Sequence, residues 1–524
     1  MPEISSDLGM VRVANEKWIQ TARDCEPKLL HSIIKPAAIV EIEEGRTYPT
    51  VNKIGDPEQI PSYHLKKGDR LCLDFGDHQV GYVTLRLSSV GSPQDAPAFF
   101  RLKFGEISKE LTERSEDYDG WISRGWIQEE FLHVDVLPAV IRLPRRYAFR
   151  YLEILVIDTS MKWQLVVEEV TCDAVSSAER ENVTPYPTTD PELQKLDRVS
   201  IRTLQNCMQS VFEDGPKRDR RLWLGDLRLQ ALANYVTFQN NDLVKRCLYL
   251  FAGLTREDGK IGACLFIEPE YIVDDTFLFD YSLFFVAALY DYYQATGDLA
   301  ALKELWPAAY RQIQLSKSSF DSNGLMVVGE GFWCFIDWKE GLDKQAAAQG
   351  VYIYCARRAQ KIAEILGDKE KVGELEQEIE EKIQAANRFL WDSQLGLFVS
   401  GKARQISYAS QVWMILAEAV DSKTGGLILQ KIRELNPEKG MVSPYMNHHY
   451  VEALLLCGRK QEALEYMKYY WGGMLELGAD TFWELYNPEN PAESPYGSSI
   501  VNSYCHAWSC TPTYLLRKYF SKED

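Results

Sequence analysis

Several features are missing from this 524-residue chain, and each absence excludes something. No run of 18 apolar residues occurs, so no segment is expected to cross a membrane as a helix. The 11 cysteines are odd in number and lack paired spacing. They offer neither a disulfide framework nor a zinc site and read as reduced core thiols of a cytoplasmic protein. Histidine is scarce, seven in all, with only His448 and His449 adjacent and no His-Glu-x-x-His, so neither a metal nor a cofactor is expected. Residues 1–13 are polar and acidic and lack the basic start and apolar run of a secretory leader. No stretch repeats at a fixed period, which argues against a superhelical array. The formal net charge of −18 excludes nucleic acid and an anionic membrane as main partners and favours a neutral or weakly charged small substrate.

What is abundant is aromatic. Thirteen Trp and 28 Tyr lie within a 12% aromatic share, and these are the usual platforms for sugar rings. Over residues 35–180, short β-rich runs at 70–73, 82–87, 98–104, 131–136, 149–156 and 163–170 are separated by turn residues such as Lys66-Lys67-Gly68-Asp69. Six such runs without long helical patterns predict an antiparallel β-sandwich, assigned to residues 1–180. An acidic and aromatic loop at 113–126, with Asp119-Gly120-Trp121, either lines a neighbouring cleft or is a surface loop with a buried Trp.

Residues 182–191 are polar with three Pro and read as a linker. Beyond them the apolar period becomes helical, with twelve candidate helices near 191–210, 222–239, 242–254, 276–296, 299–320, 344–366, 370–391, 405–420, 424–436, 445–457, 460–475 and 503–520. Asp190-Pro191 and Asp298 mark starts, and Gly297 and Gly367 mark ends. Strongly apolar helices alternate with charged amphipathic ones, as inner helices wrapped by an outer ring would. Residues 181–524 are therefore read as six hairpins closed into an (α/α)6 toroid barrel.

The long loops, at 211–221, 255–275, 321–343, 392–404 and 476–502, carry much of the Trp, Asp and Glu, and long loops in a compact domain are more often functional than accidental. Residues 214–226 read Asp-Gly-Pro-Lys-Arg-Asp-Arg-Arg-Leu-Trp-Leu-Gly-Asp, with three carboxylates and four basic side chains beside a Trp. Residues 478–484 read Gly-Ala-Asp-Thr-Phe-Trp-Glu, followed by Tyr486 and later by Asn-Ser-Tyr-Cys-His at 502–506. Glu484, set between Trp483 and Tyr486, is shielded from water in this reading, which raises its pKa and suits acid/base work. Paired carboxylates from distant loops are what glycoside hydrolysis needs. Asp214, Asp219 or Asp226 can supply one partner and Glu484 the other.

Residues 214–226, 478–484 and His506 together resemble the bacterial α-L-rhamnosidases of glycoside hydrolase family 78, which join β-sandwich domains to an (α/α)6 catalytic barrel. The likeness extends to Leu73-Asp74-Phe75-Gly76 with Gly81, to Phe149-Arg150-Tyr151 and to Ile336-Asp337-Trp338. The resemblance implies an exo-acting, inverting α-L-rhamnosidase in which Asp219, after Arg218, is the general acid and Glu484 the base that activates water. It places Asp214, Arg218, Trp223, Asp226 and His506 on the sugar hydroxyls, adds Asp280 as a further sugar-binding aspartate, and sets Trp338 against the rhamnose ring and methyl group. Inversion implies carboxyl groups roughly 6.5–9.5 Å apart.

Three departures from the family pattern stand out. Many relatives place a Glu one residue after the acidic position, where this chain has Arg220, and the motif is one residue shorter before its Trp. Asp480 stands where Thr or Ser is commoner and adds a charge near Glu484. The chain stops at the last barrel helix, which implies a small rhamnosylated glycoside or oligosaccharide as substrate. The alternative readings are an inverting toroid glycosidase acting on a different sugar, and a non-catalytic sugar-binding protein whose acid site Arg220 has replaced. Trp333 and Tyr486 read as packing aromatics, and base rates for cytoplasmic enzymes make a homodimer a reasonable expectation.

Overall fold

The computed structural model describes residues 7, 9–45 and 48–521. Residues 1–6 and 8, part of the acidic start that argues against a leader, lie outside the described residues. Among those described, no helix is long and apolar enough to cross a membrane.

The N-terminal segment departs from the expected division. Strand β1 (Arg12–Ala14) pairs antiparallel with Leu254–Arg256, and helix α1 (Glu16–Asp24) packs on the helical domain, its apolar positions Ile19 and Ala22 joining that core. The antiparallel sheet begins with β2 (Leu30–Ile34), β3 (Ala38–Glu43), β4 (Thr50–Gly55), β5 (His64–Leu65), β6 (Arg70–Gly91) and β7 (Ala98–Gly105). After a short helix α2 (Ser108–Thr112) it continues with β8 (Glu129–Val134), β9 (Ala139–Asp158) and β10 (Trp163–Ser176). The order is β2-β10-β6-β9-β7-β8, with β3 on β6 and β4, and β5 on β10. The runs at 70–73 and 82–87 are two ends of one strand. Between Asp74 and Gln79 β6 bulges, Gly76 takes φ 82°, and the strand exchanges β3 for β10 as its neighbour. Alternate residues such as Leu73, Leu85, Leu102, Ile154 and Leu165 point into a shared core, which is why the sequence alternates.

The second domain holds α3 (Pro191–Cys207), α4 (Leu224–Tyr235), α5 (Asn241–Gly253), α6 (Phe279–Thr296), α7 (Leu299–Ser316), α8 (Gln345–Leu366) and α9 (Lys369–Phe389). It ends with α10 (Tyr408–Leu416), α11 (Ser422–Leu435), α12 (Pro444–Leu456), α13 (Lys460–Glu476) and α14 (Pro512–Tyr519). Each even-numbered helix from α4 touches the next, and α14 returns to α4, closing an inner ring. The inner helices are buried nearly throughout, whereas α9 and α11 bury only a stripe, as the alternating composition predicts. Asp190 caps α3 through the N–H groups of Glu192 and Leu193, and Gly297 and Gly367 end α6 and α8 in the left-handed conformation.

The last helix differs from expectation. Residues 503–511 form no α-helix, only a 3-10 turn at Ala507–Ser509, because their backbone is engaged elsewhere: Ser503 O accepts from Glu484 N (2.9 Å), and His506 N donates to Phe482 O (2.9 Å). Pro512 then opens α14. All the long loops run from an outer helix into the N-terminus of an inner one. They therefore gather at one mouth of the toroid, where the helix N-termini also point.

Candidate active site

The loop between α3 and α4 is shaped by its own backbone. Asp214 N donates to Arg221 O and Asp214 Oδ1 accepts from Arg221 N, both at 3.0 Å, so the eight residues close on themselves with Arg220 at φ 59°. A Cβ on Gly215 would lie 2.7 Å from Arg218 O and 2.8 Å from Ser503 Oγ, so only glycine fits there. Asp214 O accepts from Ala507 N (2.7 Å), which ties this loop to the one ahead of α14.

In that second loop, residues 481–485 and 503–508 are zipped together by Thr481 Oγ1 on Tyr504 O (2.8 Å) and by Trp508 Nε1 on Glu484 O (2.9 Å), besides the two backbone bonds already given. The two loops meet at Arg218. Its Nε donates to Val501 O (3.0 Å), Nη1 lies 3.4 Å from Asp219 Oδ1, and Nη2 donates to Glu484 Oε2. The guanidinium carbon sits 4.2 Å from the Tyr496 ring centre, and the Tyr496 hydroxyl donates to Glu484 Oε1.

The neighbouring acids crowd the same space. His506 is placed among three of them, with Nδ1 3.5 Å from Asp226 Oδ1 and Nε2 4.0 Å from both Asp214 Oδ2 and Glu484 Oε1. Asp214, Arg218, Asp226, Glu484 and His506 are all buried, whereas the Asp219 side chain keeps 22% of its surface. Burial and the charges of Asp219 and Asp226 push Asp214 well above the usual carboxylate range, and burial with Glu484 and Asp219 does the same to Asp226. Burial pushes His506 down to about 4, leaving a neutral imidazole that can donate and accept.

Glu484 runs against expectation. Burial does act to raise its pKa, but the Arg218 guanidinium, His506 and the bonds from Arg218 and Tyr496 outweigh it and hold the carboxyl below its ordinary value. The flanking aromatics do not shield it as expected. Trp483 instead stacks on Tyr48 of the sheet domain, with centroids 5.6 Å apart.

Asp280 and Trp338 belong to a third wall. Asp280, at the start of α6, spends its carboxylate on Phe335 N and Ile336 N (2.9–3.1 Å), holding Ile336 at φ 57°. Asp337 accepts from Trp338 N, Val442 N and Ser443 N (2.9–3.0 Å). Both aspartates thus fix the loop that presents Trp338. Asp280 is not in the carboxylate cluster, where the sequence reading would have it on the sugar. Trp338 packs on Phe335 and faces Tyr496 at 6.0 Å. Trp223 stands beside Tyr281, edge to face at 6.2 Å. Trp223 Nε1, Trp338 Nε1, Asp226 Oδ1 and His506 Nδ1 are buried polar atoms without a hydrogen-bond partner among the described residues, a set of donors and acceptors suited to hydroxyl groups.

Arg220 does not take the place of an acid in the cluster. It turns out of the site, its Nη2 donating to Arg146 O (2.8 Å) in the sheet domain.

The sequence reading missed Tyr496, whose only signal is its place in a long loop, and it missed Glu106 and Glu110. These two carboxylates follow β7 and enter the barrel. Glu106 accepts from Tyr504 N (2.7 Å), and Glu110 pairs with Lys217, whose Nζ also donates to Ile500 O (3.0 Å) and Asn502 O (2.9 Å). Elsewhere, His448, His449 and Glu452 on α12 are near enough to one another to hold a metal ion. Arg228 Nη1, 3.0 Å from His449 Nε2, already brings a positive charge to that group.

A six-hairpin toroid that gathers buried carboxylates, an arginine fork and Trp edges at one mouth defines a glycoside hydrolase. Residues 182–520 match the bacterial α-L-rhamnosidase six-hairpin glycosidase domain, and residues 36–174 match the glycosyl hydrolase family 78 α-rhamnosidase N-terminal domain. The chain belongs to glycoside hydrolase family 78, the α-L-rhamnosidases. It is 47% identical to a rhamnosidase from Klebsiella oxytoca solved with rhamnose bound, over 97% of this chain and 99% of that one, with a TM-score of 0.95. The family 78 rhamnosidase of Bacillus sp. GL1 (21% identity, 90% of this chain and 49% of that one, TM-score 0.74) shares the fold, as does the Streptomyces avermitilis α-L-rhamnosidase (18%, 94% and 44%, TM-score 0.66). No curated protein matches the chain in sequence.

Proposed function

We propose that the chain removes terminal α-L-rhamnose from small glycosides or oligosaccharides with inversion, Asp219 acting as general acid and Glu484 as general base. The observation that carries this reading is the Arg218 fork, which contacts both carboxylates while lowering the pKa of Glu484. A base must be ionised before it takes a proton from water, and the guanidinium keeps Glu484 so. Asp219, the more exposed of the pair, is open to the leaving oxygen. Asp214 and Asp226, whose carboxyls burial holds well above their ordinary range, together with neutral His506 and Trp223, hold the sugar hydroxyls. Trp338 covers the apolar face of the ring. The Klebsiella relative, solved with rhamnose, supports the choice of sugar. The described cysteines are all free thiols, nine of them buried, which suits a cytoplasmic enzyme acting on imported substrate, and a homodimer fits that setting.

Asp219→Asn and Glu484→Gln should each lower kcat on an aryl α-L-rhamnoside by about 10²–10⁴-fold while circular dichroism stays unchanged. Near-normal turnover in either variant removes that residue from its role. Proton NMR of the first-formed sugar should show the β-anomer, and an α-anomer would exclude inversion.

A further inference from the structure

The loop at 113–126 has no part in the chemistry above, yet it reaches the base. Trp121 keeps 42% of its surface, and its ring lies 5.6 Å from that of Tyr496, the residue that donates to Glu484. The contact is built. Trp121 Nε1 donates to Pro495 O (2.8 Å), and a Cβ on Gly120 would fall 2.3 Å from Tyr496 O, so glycine alone allows this approach. Behind it, Tyr118, Ile122 and Ile127 pack with Tyr496, Ile500 and Val501 in a small apolar cluster of their own. Three rings thus run outward, Trp338 to Tyr496 at 6.0 Å and Tyr496 to Trp121 at 5.6 Å, from the proposed sugar platform to solvent. In the proposed function the inner end, at Trp338, faces the glycone. The Tyr496 ring carries Arg218 at 4.2 Å, and Arg218 Nη1 lies 3.4 Å from Asp219, the proposed acid; in an exo-acting pocket whose glycone end is buried, the solvent-facing end of this row is the one from which the leaving group departs.

We infer that Trp121, supplied by the sheet domain, is the platform for the leaving group, taking the flat face of an aryl or pyranosyl aglycone. The inference rests on the rhamnosidase reading above. An exposed indole is well suited to this, since a large rigid face is offered with little ordering cost, and stacking on it requires no particular hydroxyl pattern. Specificity for what is attached to the rhamnose therefore resides partly outside the catalytic barrel.

The test compares Trp121→Ala and Trp121→Phe with the parent on three substrates: a flavonol α-L-rhamnoside, a rhamnosyl-glucose disaccharide, and α-L-rhamnosyl fluoride, whose leaving group has no face to stack. Trp121→Ala should lower kcat/KM on one or both of the first two by about 10-fold, mostly through KM. The fluoride rate, the inhibition constant of free rhamnose and the unfolding temperature should change less than about twofold or a degree or two. Trp121→Phe should recover most of the loss. Loss on the flavonol rhamnoside alone identifies an aryl platform, and loss on the disaccharide alone a pyranosyl one. Equal losses on all three substrates, or none on either bulky one, overturn the inference. A parent enzyme that fails to cleave the fluoride refutes the rhamnosidase reading instead.

Discussion

The pair Glu110–Lys217 offers a quantitative test of how far the sheet domain supports the catalytic loops. Both side chains are buried, at 4% and 1% exposure, and lie 107 residues apart in the chain. Glu110 Oε2 also accepts from Glu106 N (2.6 Å) and Ile107 N (3.2 Å), so its carboxylate is fully used. Removing one member of such a pair strands a buried charge, which costs about 3–5 kcal/mol, whereas removing both costs far less. In Glu110→Gln the amide keeps its oxygen on the two backbone N–H groups and turns its NH2 towards the Lys217 ammonium, donor against donor. In Lys217→Met, Glu110 faces Glu106 without a cation. Burial already holds the Glu110 carboxyl above its ordinary value, with Lys217 opposing that shift. A raised carboxyl contributes stability that is present below the unfolded value of about 4.3 and lost as pH rises through the folded one. Glu110 is raised to about 7 in the parent, which loses this contribution up to that pH as well, so the extra cost of Lys217→Met should appear mainly above pH 7. In urea denaturation each single variant should lose about 3 kcal/mol or more, and the double variant should fall short of the sum by roughly 2 kcal/mol. Because Lys217 also grips the carbonyls of Ile500 and Asn502, on either side of the Val501 carbonyl that orients Arg218, kcat should fall more than KM rises. Additive losses within about 0.5 kcal/mol, with kcat unchanged, would refute the coupling.

Two further outcomes follow from the electrostatics of the site. Asp226 has its carboxyl pKa raised, so its ionised form costs stability at neutral pH; Asp226→Asn should stabilise the fold by about 1 kcal/mol at pH 8, with little gain below pH 4, while activity drops. An equal change at both pH values in thermal unfolding would show that charge is not the cause. Arg218→Gln removes the main group that lowers Glu484, leaving burial to raise it, so the acidic limb of the kcat/KM profile should move to higher pH. An unmoved limb would mean that Glu484 is not the base it reports.

Much of this architecture is written locally. The inner helices announce themselves because a helix buried on all sides is apolar over most of its length, and α6 is so from Leu283 to Leu289. The loop at 214–226 was legible because its acids and bases are neighbours in sequence and Gly215-Pro216 cannot continue a helix. What failed were inferences that needed a partner. Residues 503–511 carry no breaker, yet their hydrogen bonds to Phe482 and Glu484 override a helical pattern. Shielding of Glu484 by its aromatic neighbours was reasonable from sequence, but the decisive cation stands 266 positions away. The same holds for Tyr496, Glu106 and Glu110, whose residue types signal nothing until the fold sets them against the catalytic loops.

Asp480 shows why the sheet domain is better regarded as half of the active site than as an appendage. Read from sequence, it adds a charge beside Glu484. In the fold it faces the other domain, where Oδ2 accepts from His78 N (2.7 Å) and lies 3.8 Å from Arg150 and 3.7 Å from Arg202. Arg150 in turn grips Asp74 with two bonds of 2.9 Å, joining the two sheet segments that carry the family likeness. Burial tends to raise the Asp480 carboxyl, and these cations oppose it. His78 then continues the chain, with Nε2 3.0 Å from Glu106, which holds Tyr504 N just ahead of His506. One connected set of charges thus runs from the bulge in β6 to both sides of the loop pair carrying Glu484 and His506. A free barrel would leave Asp480 without His78 N and Arg150, Lys217 without Glu110 and Tyr504 N without Glu106, and buried charges and polar groups stripped of partners are what a fold can least tolerate. The positions of Glu484 and His506, the proposed base and sugar ligand, are therefore set from the sheet as much as from the toroid.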